Sequence, residues 1–201
     1  MDKENMNSMK KKALAFAAAA CAFGMLLSGC GSSNGDSTAD KGSNVITAYN
    51  SEPQNPLIPG DCNETGGGKP LDLLFARLIS FDKGNASNEV AESIKSNDDA
   101  TQYTIKLKDG WKFTDGTPVT AESFTKAWSY TANAKNAQLG SSFFSTIKGY
   151  DKLQDGDKLK GDEQLEGLKV VNDHEFTVDL NRSDSVFAIK VGYTAFAPLP
   201  E

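Results

Sequence analysis

Residues 103–128, YTIKLKDGWKFTDGTPVTAESFTKAW, constrain the fold more than any other stretch of this chain, because an alternating segment, two reversals and a helix start follow one another within it. Tyr103, Ile105 and Leu107 alternate with Thr104, Lys106 and Lys108, the period-two pattern of a strand with one buried and one wet face. Asp109-Gly110 ends that strand and Asp115-Gly116 follows, each a dipeptide that reverses the chain through positive φ at little steric cost. Pro118 fixes φ ahead of Thr120, whose hydroxyl suits the orphan N–H groups of a new helix, and Glu122 then meets the positive end of the helix dipole. Phe124, Ala127, Trp128 and Thr131 recur at spacings of three and four, so a helix over 120–134 is expected, with one stripe against a core.

The flanking segments are less regular. Asn44 to Asn50 has the composition of a strand, and Pro53, Pro56 and Pro59 then exclude helix and ladder pairing alike. An irregular loop is expected from Ser51 to about Lys69, containing Asp61, Cys62, Asn63, Glu64, Thr65 and Gly66-Gly67-Gly68. Its glycines let the backbone approach another molecule and its polar side chains offer hydrogen bonds, so it reads either as a ligand contact or as a plain surface loop. Lys69 is followed by Pro70, which departs from the GxxxxGK[ST] spacing of a phosphate cradle.

Leu71, Leu74, Phe75 and Leu78 keep helical spacing over Pro70–Ser80, a turn is expected at residues 82–85, and Val90–Ile94 reads as a short second helix. Leu139, Phe143, Phe144 and Ile147 predict a further helix over Ala137–Lys148, with Tyr150 closing it against the core. The charge-dense stretch Asp151–Glu166 is expected to be a solvated loop without the ligand offsets of a calcium site. Residues 170–180 form a candidate hairpin turning at Asn172-Asp173, after which Phe187, Ile189 and Val191 continue apolar.

The amino-terminal residues carry a different message. Lys10-Lys11-Lys12 precede a fifteen-residue apolar run, Ala13–Leu27, which is too short to span a bilayer and reads as a cleavable leader over residues 1–29. Leu27-Ser28-Gly29-Cys30 is a lipobox pattern, in which the Cys30 thiol takes a lipid and becomes the new terminus; the alternative is an ordinary signal peptide with a chance cysteine. Residues 31–43, GSSNGDSTADKGS, hold no apolar side chain larger than Ala and read, with Cys30, as a tether of about 20 Å. The expected location is the extracytoplasmic face of the cell membrane, held by a lipid anchor.

Chemistry is sparse. The formal net charge is −6, and setting the leader aside removes more lysines than acids, so nucleic acid is excluded as a partner. Of three cysteines only Cys62 lies beyond the processing site, where a buried structural role or a reactive thiol are both open. His174, the single histidine, sits beside an expected turn, and the adjacent pair Asp98-Asp99 lacks an apolar pocket that would raise a pKa. No catalytic residue, metal site or cofactor is expected.

Taken in order, Leu107, Asp109-Gly110, Phe113, Asp115-Gly116-Thr117-Pro118-Val119-Thr120-Ala121, Phe124 and Trp128 resemble the signature of the family 5 extracellular solute-binding proteins, and Ala91-Glu92-Ser93 adds local agreement. The resemblance implies an α/β fold of the type II periplasmic-binding-protein kind, of which residues 44–75 are the first part of lobe I, residues 76–197 an extra subdomain, and residues 198–201 the start of a return segment. It implies that the second lobe is absent and that the chain is an N-terminal fragment. It further implies a monomeric, non-enzymatic lipoprotein that captures peptides and delivers them to an ABC permease. By position in the family, Asn63, Glu64, Thr65 and Gly66 are expected on the ligand backbone, and Phe143 as an aromatic contact. The same scaffold carrying an oligosaccharide, a nickel complex or haem, or serving as a surface-display lipoprotein, is the alternative. Sugar binding calls for stacked aromatics near Gly66, and the local sequence has none.

Overall fold

The computed structural model describes residues 47–200. The leader, Cys30, the tether and the first part of the expected Asn44–Asn50 strand lie outside the described residues; residues 47–50 are exposed and carry no strand. Asn50 instead turns its side chain toward the first helix, where its Nδ2 donates to the Gly66 carbonyl at 2.7 Å.

The expected strand and helix of the central run are present. Strand β4 (Gln102–Leu107) buries Tyr103, Ile105 and Leu107. The two reversals follow, with Gly110 and Gly116 at positive φ and Asp115 Oδ1 accepting from the Thr117 N–H and hydroxyl at 2.9 and 2.7 Å. Helix α2 (Ala121–Ala132) then starts at Thr120, whose N–H donates to Ser123 Oγ at 3.1 Å. Its first N–H, that of Ala121, donates to the Asp173 carbonyl at 2.7 Å, so a turn fifty residues away in sequence satisfies an orphan donor of the helix.

β4 is central in a four-stranded antiparallel sheet ordered β3-β4-β6-β5, with β3 at Ala91–Ser96, β5 at Leu168–Asn172 and β6 at Glu175–Asp179. α2 lies on one face of that sheet. Phe124 stacks on Phe176 of β6 with centroids 5.9 Å apart, and Trp128 meets Phe176 edge-on at 5.6 Å and Phe196 at 5.1 Å. Trp128 is fully buried, and its indole N–H donates to the Phe196 carbonyl at 2.9 Å, so the largest core side chain keeps its polar atom satisfied. A separate hairpin, β1 (Ile79–Asp82) and β2 (Asn85–Asn88), turns at Lys83-Gly84, inside the expected turn.

Five expectations are corrected. The loop expected to run to Lys69 ends at Glu64, because helix α1 occupies Thr65–Leu74; the Pro70–Ser80 helix is therefore displaced, and Pro70 sits in its interior. A proline there cannot donate to the carbonyl four residues back, and that carbonyl, Gly66 O, is the one Asn50 satisfies. Val90–Ile94 is not a helix, since Ala91–Ser96 is the edge strand β3 with a bulge between Ala91 and Ser93. Ala137–Lys148 is not a continuous helix either: Ala137 takes a left-handed conformation, and only 3₁₀ turns form at Ala134–Asn136 and Ser141–Phe144. The hairpin pairs Asn172 with Glu175, so its turn is Asp173-His174, one residue later than expected. Leu153 and Leu165 are buried at the two ends of the solvated stretch 151–166 and pin it to the core. A short helix, α3 (Phe187–Lys190), precedes a 3₁₀ turn at Thr194–Phe196.

Candidate functional site

The start of α1 and the segment following α3 together form a cleft of about 470 Å³. Asn63, Glu64 and Thr65 line it from the first side, together with Lys69 and Asp72 one and two turns further along the helix. Tyr193 and Thr194 line it from the far end of the chain, and Arg77 and Phe81 come from the connection into and along β1.

Glu64 is spent on the protein itself. As the N-cap of α1 it accepts from the Gly67 N–H at 2.9 Å and from the Gln54 N–H at 3.1 Å, and the Cys62 thiol lies 3.4 Å from the same carboxylate. The Gly67 N–H is the main reason its pKa lies below the usual carboxylate value. Burial raises the Cys62 thiol, so Cys62 is a neutral, packed side chain, and of the two readings left open by the sequence the structural one fits. The helix N-terminus is thereby closed by its own cap rather than open to an anion.

Gly66 does not line the cleft. It is buried, its carbonyl is taken by Asn50, and a Cβ there would come within 2.8 Å of the Glu52 carbonyl. Phe143 also stands outside the lining, but its ring lies 4.4 Å from that of Tyr193, so it buttresses a cleft residue. Two backbone donations hold that region to the 51–64 loop: Gly140 N–H to the Gly60 carbonyl at 2.8 Å, and Leu139 N–H to Asp61 Oδ1 at 3.3 Å. Burial raises the Tyr193 phenol, which stays protonated and able to donate at neutral pH.

Sequence reasoning brought forward Asn63, Glu64 and Thr65, which the structure places together, and missed Lys69, Asp72, Arg77, Phe81, Tyr193 and Thr194. The last two lie about 130 residues from Asn63, and only the folded chain places them beside it. His174 is exposed, its Nδ1 3.5 Å from Asp109, and far removed in role from the cleft. Among the described residues no group of three or more His, Cys, Asp or Glu is placed to hold a metal.

The sequence pattern of the bacterial extracellular solute-binding proteins, family 5, middle region, matches residues 85–201. The chain belongs to this family. Its members and the structural neighbours are binding proteins, not enzymes. The chain is 28% identical to the oligopeptide-binding protein OppA of Bacillus subtilis over 89% of its own length and 33% of that protein's. Among solved structures, it matches the murein tripeptide-binding protein MppA of Escherichia coli at a TM-score of 0.68 and 27% identity, covering 76% of this chain and 30% of the other. It matches Haemophilus influenzae OppA, solved with the peptide RPPGFSPFR, at 0.68 and 25%, covering 74% and 29%. The fold is thus the type II periplasmic-binding-protein α/β arrangement over the matched region, and the chain spans about a third of the length of these relatives.

Proposed function

We propose that this family 5 chain captures peptides outside the membrane and delivers them to an ABC permease, tethered through a lipid on Cys30. In this reading residues 44–75 belong to lobe I, residues 76–197 to its extra subdomain, and the ligand is clasped against the Asn63–Thr65 edge of the cleft. The supporting observation is that this edge and Tyr193 meet in one cleft of about 470 Å³, on a body similar to structures solved with bound peptides. Polar groups set beside apolar walls in a wet cleft suit backbone recognition with water filling the remainder, which tolerates varied side chains.

A second reading, an oligosaccharide cargo on the same scaffold, gains one observation. An aromatic that the local sequence lacks, Tyr193, reaches the cleft from a distance and is backed by Phe143. Isothermal titration of the protein against short peptides, an oligosaccharide, a nickel chelate and haem separates these. Peptide binding is expected; heat from one of the other solutes with none from peptides refutes the proposal.

A further inference from the structure

Among the described residues, the buried Arg77 Nε has no hydrogen-bond partner, and Arg77 lines this cleft. The Arg77 side chain is 11% exposed, so Nε is shielded from bulk water. Unmet donors of this kind are costly and mark a place where a partner belongs.

The charges around Arg77 are unevenly matched. Glu64 is occupied by backbone N–H groups and Cys62. Lys190 is bridged to the buried Asp184. Arg77 is bridged through Nη1 to Asp72, whose side chain is 54% exposed. Lys69 also lines the cleft and forms no ion pair among the described residues. Lys69, Arg77 and Lys190 thus face Glu64, Asp72 and Asp184, and of the three cations Lys69 is the one without a carboxylate in contact among the described residues.

We infer that the Arg77 side of the cleft takes a carboxylate from the captured ligand, making the protein selective for peptides with an acidic side chain at one position. The inference rests on the peptide-binding reading and refines it. A guanidinium offers a fork of donors matched to the two oxygens of a carboxylate, whereas an amide presents a single uncharged acceptor oxygen and an ammonium none. Asp72 is the resident carboxylate on that fork. It stands three residues after Lys69 on α1, the spacing at which helical side chains meet, so on ligand entry it turns to Lys69 and gives up Arg77. Arg77 then faces the ligand carboxylate and Lys69 faces Asp72.

The test is calorimetry of the protein with peptides identical except for Glu, Gln or Lys, substituted at each position in turn. At one position Glu is expected to bind about tenfold tighter than Gln, and Lys weaker than either. In Arg77→Gln the Glu-to-Gln ratio is expected to fall toward one. In Lys69→Gln, an exposed change that leaves the packing intact, it falls part of the way and keeps the question decidable should Arg77→Gln not fold. Equal binding of Glu and Gln peptides at every position overturns the inference and leaves peptide capture standing. A ratio unchanged in both variants overturns the role given to these residues, and failure of every peptide to bind overturns the inference together with the function it refines.

Discussion

Replacing Gly67 by alanine while replacing its neighbour Gly68 in parallel tests whether the start of α1 is built as described. Both residues are helical, so each gains up to about 1 kcal/mol from alanine's higher helix propensity. Their surroundings differ. A Cβ on Gly68 meets nothing within 4 Å, whereas one on Gly67 falls well inside contact distance of the Cys62 sulfur and 2.7 Å from Glu64 Oε1. Cys62 is buried, so the sulfur has little room to retreat. Overpacking costs about 1–3 kcal/mol, and displacing the Glu64 cap adds about 0.5–2 kcal/mol. Gly67→Ala is therefore expected to destabilise by a net of roughly 1–4 kcal/mol, and Gly68→Ala to stabilise by about 0.5–1 kcal/mol. Urea unfolding followed by circular dichroism reads both. Adding Cys62→Ala to Gly67→Ala should recover on the order of 1 kcal/mol relative to the sum of the single changes, since the clashing sulfur is gone. If Gly67→Ala proves as stable as Gly68→Ala, the packing of Cys62 and Glu64 against that turn is not what holds the site's edge.

Four further outcomes are expected. Asn50→Ala leaves the Gly66 carbonyl without its donor beside a proline that cannot replace it, and should cost about 1 kcal/mol in the same urea assay. Glu163, held at about 2 against a usual 4.5 mainly by the Lys160 N–H, stabilises the fold fully above pH 4.5, and that contribution is lost as pH falls toward 2. The urea midpoint should drop across that window, and drop less steeply in Glu163→Gln. Tyr193→Ala removes the aromatic floor that Phe143 supports and should weaken peptide binding by roughly 5- to 30-fold in titration calorimetry. Cys30→Ser should move the protein from the membrane fraction to the soluble one on fractionation, whereas an unchanged distribution would refute the lipid tether.

Legibility tracked the range of the forces involved. β4 and α2 were readable because their buried faces alternate or recur within a few residues, and the two Asp-Gly reversals carry their own conformational signal. The start of α1 is hidden because three glycines, a lysine and a proline in succession read as a loop. Its cap is a glutamate, a residue uncommon at that position, and its broken hydrogen bond is repaired by Asn50 from outside the helix. AESIKS in β3 is rich in helix formers and is held as a strand by pairing with β4, a tertiary contact that overrides propensity. The candidate site divides the same way. Asn63–Thr65 could be proposed from a local stretch, while Arg77 acquires its significance only from the unmatched Nε, a property that no local sequence expresses.

The aromatic seat of Trp128 ties the interior to the cleft. Phe196, which receives the indole N–H, lies two residues beyond Thr194, so the segment that plugs the centre of the molecule also completes the recess at its edge. A chain in which residues 194–196 have not docked lacks both a finished interior and one wall of the cleft. Closure of the interior and completion of the recess are thereby coupled, so local opening of this segment should loosen both together.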